Sequence, residues 1–200
     1  MQVIVHRMPA GSSFDVLASL PRQQLVRDWW GNEVNPPFEF AMAENGERLF
    51  ILASRRKTPR AQPGSRPGEL FPKPLCDYDV AEFFLGQKAG GRYFEFHIAP
   101  SGAWWYSFFK AVRQTDAEDN PVPQGVETQT RPLKDGWLAM AGIPLPGLDG
   151  LSLDACRLAV TAILEFPDSI YLTTADTSTG EPDFHRPDDW TPPAIPRTKR

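Results

Sequence analysis

The most regular pattern in the chain is alternation of apolar and polar positions. Between Asp77 and Gln114 three runs show it: Val80–Leu85, Tyr93–Ile98 and Trp104–Phe109. Gly86, Gly90-Gly91 and Pro100-Ser101-Gly102 separate them. Short breaks of this kind join antiparallel neighbours, because a parallel return needs a long crossover. The stretch therefore predicts a three-stranded meander. Successive residues of a strand point to opposite faces. Packing Phe83, Phe94, Phe96 and Phe108 into a core leaves Glu82, Glu95, His97 and Trp105 on the other face, with Tyr93 beside them. Acids, an imidazole and aromatic rings on one sheet face suggest a binding surface.

The rest of the chain adds strands around this meander. Gln2–His6 alternates and reads as a strand. Phe14–Leu20 reads as another strand or a loop-bound segment. Gln23–Trp30 has no clean period, and Trp29-Trp30 reads as a plug over one end of the fold. Phe38–Ala43 and Glu47–Ser54 flank Asn45-Gly46, a hairpin signal that favours a type I′ turn with positive φ at both central residues. Residues 55–74 hold five prolines and two glycines. A loop of that length is often functional, and this one leads straight into Asp77, so it should border the site. Arg55, Arg56, Lys57, Arg60 and Arg66 in it read as solvated. Val126–Arg131, Gly136–Ile143 and Ser169–Thr174 are strand candidates. Arg157–Phe166 is a further one, with helix as its alternative, and Ser152–Ala155 suits a short helical turn. Prolines and terminal charges predict fraying after about Pro192, over residues 192–200. About ten short strands with little helix predict an all-β fold, an antiparallel β-sandwich of jelly-roll-like form, as one domain over residues 1–200.

Composition narrows the function classes. The chain has 200 residues, 41% of them hydrophobic, and a formal net charge of -4. That supports a sizeable core and shows no electrostatic footprint for nucleic acid. Cys76 and Cys156 form no metal or redox motif. The first residues lack a leader-like apolar run, and no run approaches the ~20 residues of a membrane span. A cytoplasmic protein with free thiols is expected, with homodimerisation left open.

Several motifs, in order, resemble family 9 carbohydrate-binding modules and the bacterial DOMON-like proteins. Asp79, Val80 and Glu82 open the match, followed by Tyr93-Phe94-Glu95-Phe96. Pro100, Gly102 and Trp104 keep the family's turn spacing, and Arg113-Gln114 falls in register. Gly136-Trp137, Ile143-Pro144 and Asp183-Phe184-His185 resemble later signatures. The match spans roughly Asp77 to Trp190. It implies an antiparallel β-sandwich and a sugar held between tryptophans, with polar partners at Glu82, Glu95 and Arg113. Cys76 stands where the family usually has a tryptophan, His97 where it has an asparagine, and Trp105 where DOMON-like relatives often have an asparagine.

A non-catalytic module for a saccharide or another small polar ligand is the leading expectation. Trp105 or Tyr171 would supply a stacking face, and Glu82, Glu95, His97 and Arg113 the polar partners, with Tyr93 nearby. Glu82 and Glu95 could instead pair with Arg113 in a structural network, and His185 reads as a loop anchor. Haem carriage, which the DOMON resemblance raises, would draw on Met42, Met140 and His97. A glycosidase would use Glu82 and Glu95 as its carboxyl pair. A scaffold that has lost sugar binding would show an apolar Trp105 face without a pocket. No cofactor is expected. Calcium is implied only by resemblance, with Asp116, Glu118 and Asp119 as ligands.

Overall fold

The computed structural model describes residues 1–87, 91–116, 120–176 and 180–196. Two six-stranded sheets face each other. The first contains β1 (Val5–Arg7), β2 (Gln23–Arg27), β3 (Glu33–Glu44), β4 (Arg48–Arg55), β9 (Glu127–Leu133) and β10 (Gly136–Pro144). The second has the order β12 (Ile170–Thr173), β11 (Cys156–Leu164), β5 (Val80–Gln87), β6 (Tyr93–Ile98), β7 (Trp104–Ala111) and β8 (Gln114–Thr115). Pairing is antiparallel except between β1 and β3. The all-β sandwich expected from the alternation is what the chain forms.

The meander register matches the sequence pattern. Glu82 pairs with His97, Phe83 with Phe96, Phe96 with Tyr106 and His97 with Trp105. Phe83, Phe94, Phe96, Trp104 and Phe108 enter the core between the sheets, against Phe38, Phe40 and Trp137 of the first sheet. Trp104 stacks on Phe96 at 5.6 Å, and its indole N–H donates to the Gly68 carbonyl. A zipper of apolar side chains from both inner faces is the usual core of such a sandwich.

Several local expectations need correction. Phe14–Ser19 is a helix, α1, with the Ser13 hydroxyl accepting from the Asp15 N–H at its start. Phe14, Leu17 and Ala18 recur at helical spacing and seal the outer face of the first sheet. Gln23–Arg27, which lacks a period, is an edge strand held by β3. The Asn45-Gly46 turn is not type I′, since of the two only Gly46 has positive φ. The Asn45 side-chain oxygen accepts from the Glu47 and Arg48 N–H groups, an arrangement that replaces the tight two-residue turn. Arg55 is fully buried rather than solvated, and its guanidinium closes on Glu165 at 2.7 Å. Lys57 reaches the same carboxylate. Of the two adjacent tryptophans, Trp29 is buried and Trp30 exposed.

Two irregular segments lie on the outer face of the second sheet. The proline-rich loop bonds to β7 through Phe71 N–H to the Trp104 carbonyl and Trp104 N–H to the Glu69 carbonyl. Gly102 (φ 82°) permits that crossing, because a side chain there would meet Thr130 and Pro67 within 3.3 Å. The C-terminal segment crosses β5 and β6 from the other side. Trp190 packs on Phe84 and Tyr93, over Gly86, which leaves room for the indole. Ala194 then exchanges backbone bonds with Val3 and Val5, so the segment is held two residues past Pro192.

Candidate functional site

Between those two segments the outer face of the meander opens as a cleft of about 380 Å³. Pro74 and Cys76 of the loop form one wall, and Asp183, Phe184 and His185 of the C-terminal segment form another. Trp105, Phe109, Ile163 and Tyr171 complete the sides, while Glu82, Glu95 and His97 form the floor. The sequence therefore foresaw Glu82, Glu95, His97, Trp105, Arg113 and Tyr171 as neighbours, and the fold brings all six together. Tyr93 differs. It is fully buried behind His185, stacked on Phe109 at 4.6 Å, and reaches the site only through its hydroxyl.

The floor is unusually dry for charged groups. Glu82, Glu95 and His97 are 3%, 4% and 1% exposed. His97 Nδ1 accepts the Leu75 backbone N–H at 3.2 Å. An amide N–H can only donate, so Nδ1 holds the lone pair and the ring proton sits on Nε2. Nε2 then donates to Glu95 Oε1 at 2.6 Å. Glu82 Oε1 lies 3.5 Å from the same nitrogen, and Glu82 Oε2 accepts from the Thr161 hydroxyl at 2.9 Å. A second chain of donors starts at Arg113. Its backbone N–H donates to the Tyr93 oxygen, which directs the Tyr93 proton to His185 Nδ1 at 2.7 Å. His185 Nε2 then faces Glu95 Oε2 at 3.8 Å.

Burial governs the protonation of all of these groups. It pushes the Glu82 and Glu95 carboxyls up to about 7, opposed for Glu82 by His97 and for Glu95 by His185 and Arg113. It pulls both imidazoles below their ordinary value and lifts Tyr93 to about 12. The expected pairing of the glutamates with Arg113 is not the one formed: the Arg113 guanidinium closes on Asp183 at 2.7 Å.

Other chemistry fits this geometry poorly. Donor atoms of Glu82, Glu95 and His97 lie within 4.8 Å of one another, close enough to share a cation. A ligating imidazole must present a lone pair, however, and His97 presents its N–H. Met42 lies in the core between the sheets, Met140 on the outer face of the first sheet and His97 on that of the second, so these three do not converge on a haem. Of the calcium candidates, Glu118 and Asp119 lie outside the described residues, and Asp116 sits 4.0 Å from Arg92. A larger hollow of about 540 Å³ at Lys57, Arg60, Asp79 and Glu165 is built round a structural network, in which Arg55 and Lys57 close on Glu165 and Asp79 accepts its N–H.

Phe109, Asp183 and Phe184 went unrecognised in the sequence as parts of the site, as did Pro74, Thr115, Ile163 and Pro182. His185, read as a loop anchor, belongs to it as well. The Asp183-Phe184-His185 motif was the available signal. Trp30, 55% exposed, lies 6.1 Å from Tyr171 at the rim.

No family model matches the chain, and no curated protein matches it. Solved structures do. A presumed carbohydrate-binding protein of Bacteroides uniformis superposes with a TM-score of 0.71 at 15% identity, over 98% of this chain and 99% of its own. A family 9 carbohydrate-binding module of Caldicellulosiruptor kristjanssonii in complex with glucose gives 0.58 at 14% identity, over 96% and 91%. The same kind of module from that organism in complex with cellotriose gives 0.57 at 13%, over 96% and 89%. The fold is thus like that of family 9 carbohydrate-binding modules, in agreement with the resemblance carried by the motifs.

Proposed function

We propose that the protein is a non-catalytic carbohydrate-binding module whose saccharide sits in the cleft over β5, β6 and β7. The observation that carries this reading is the meeting of aromatic walls at Trp105 and Tyr171 with a floor of oriented acceptors at Glu82 and Glu95. A pyranose offers C–H groups to a ring face and hydroxyl donors to carboxylates, and a cleft of a few hundred Å³ with few polar groups is the usual form of a small-ligand site. The saccharides bound by the Caldicellulosiruptor modules support the ligand class.

We take the carboxyl pair as acceptors rather than as an acid and a base: burial pushes both the same way, whereas a glycosidase needs environments that drive the two apart.

Tryptophan fluorescence titrated with glucose, cellobiose and cellotriose tests the reading. The expected result is a saturable change that is lost in Trp105→Ala while the variant keeps its fold. Absence of any change across the saccharides, with the protein folded, would overturn it.

A further inference from the structure

We propose, resting on the carbohydrate reading above, that the cleft prefers an amino sugar, one carrying a free ammonium group, over neutral sugars. The floor holds two carboxylates and little to neutralise them. His97 cannot become an imidazolium without giving up the Leu75 N–H on its Nδ1. His185 Nδ1 lies 2.7 Å from the Tyr93 oxygen, whose proton remains free to bond it because that oxygen accepts from Arg113 N–H, and burial favours the neutral imidazole. The Arg113 guanidinium is held by Asp183 at 2.7 Å. Among the described residues, two carboxylate oxygens are left short of donors. Glu95 Oε2 has His185 Nε2 at 3.8 Å, beyond bonding distance. Glu82 Oε1 has His97 Nε2 at 3.5 Å, whose proton is given to Glu95. Both residues are more than nine-tenths buried and face the cleft.

A buried carboxylate needs a proton or a counter-charge. A sugar hydroxyl can donate a hydrogen bond, yet it leaves the charge in place. An ammonium supplies both donors and charge. The rings of Trp105, Phe109, Tyr171 and Phe184 around the floor add an attraction that a neutral hydroxyl does not feel.

Calorimetric titration near pH 7 with β-1,4-linked diglucosamine, its N-acetylated counterpart and cellobiose tests this. The expected result is affinity for diglucosamine about ten-fold or more above that for cellobiose. In Glu82→Gln and Glu95→Gln the ratio should fall toward one. Equal or tighter binding of cellobiose by the unaltered protein would overturn the ammonium preference and leave the carbohydrate reading intact. A preference that survives in both variants would also overturn it, since these carboxylates would not be its source. No binding of any of the three sugars would overturn both readings.

Discussion

The two sheets bury their outer faces in different ways. On the first sheet Ala41, Ala43, Phe50, Leu52, Leu138 and Met140 point outward, and α1 seals them with Phe14, Leu17 and Ala18. Phe14 meets Phe50 edge-on at 5.9 Å. On the second sheet the matching face carries Val80, Glu82, Phe84, Tyr93, Glu95, His97 and Trp105, covered at its flanks by the loop and the C-terminal segment. One cover is a continuous apolar plug. The other leaves a gap above Glu82 and Glu95. A structural cover gains nothing from two buried carboxyls, which cost free energy unless partnered. Two such carboxyls beneath an aromatic-lined gap are what the proposed saccharide site rests on.

The largest expected effect comes from making the first face resemble the second. Met140→Glu places a carboxylate in the apolar plug with no imidazole, hydroxyl or gap to receive it. Chemical denaturation should show a loss of about 3–5 kcal/mol, the cost of an uncompensated buried charge. A second test separates the two sides of one strand. Trp104→Ala should cost ~3–5 kcal/mol, as deletion of a core aromatic does. Trp105→Ala, half-buried at the cleft, should cost much less and remove saccharide binding. Equal costs would erase the distinction between inner and outer faces.

The pH dependence of stability is the next largest effect. The folded protein keeps protons on Glu82 and Glu95 up to about pH 7, whereas the unfolded chain releases them near 4.5. Between those values the folded state binds more protons at these two carboxyls, so their contribution to stability falls as pH rises through that window, while the lowered imidazoles of His97 and His185 contribute in the opposite direction below pH 6.5. For one such carboxyl the loss is on the order of 3 kcal/mol. Glu95→Gln should therefore remove one falling contribution from the profile, and denaturation midpoints at pH 5 and pH 8 compare the variant with the unaltered protein directly. An unchanged slope would mean the floor is wetter than the structure shows.

Smaller effects refine the polar side. Tyr93→Phe removes the hydroxyl that joins Arg113 N–H to His185, at a cost of about 1 kcal/mol. Freed of the Tyr93 proton, His185 should titrate at higher pH, a change visible by NMR. Trp30→Ala should alter stability by less than about 0.5 kcal/mol. If Trp30 extends the platform of Tyr171, the variant weakens binding of cellotriose more than of glucose.

Alternation made the inner and outer faces of β5, β6 and β7 legible, because a period of two assigns every side chain once a core is chosen. That is why Glu82, Glu95, His97 and Trp105 group together on the strand pattern alone. What closes the site was not legible. The Leu75 N–H that fixes the His97 proton belongs to an aperiodic loop. Asp183–His185 return to the meander from about ninety residues away, and no local pattern records that contact. Tyr93 shares the outer face as expected, yet Trp190 and His185 cover it. The helix α1 spans six residues, too few for its period to stand out from a strand of similar composition. Asn45 shows the same limit in a turn, where a side-chain oxygen replaced the backbone geometry expected from the dipeptide.

In the proposed complex the saccharide lies over His97 of the floor and beside His185 of the wall. The chain has three histidines, and His6, on the first sheet, serves as an internal reference. Imidazole nitrogen NMR spectra recorded during titration with diglucosamine and cellobiose test this arrangement. Before sugar is added His97 should carry its proton on Nε2 and none on Nδ1. The His97 and His185 signals should then move with saccharide while His6 stays still. A proton on His97 Nδ1, or saccharide binding that leaves the His97 and His185 signals unmoved, would rule the arrangement out.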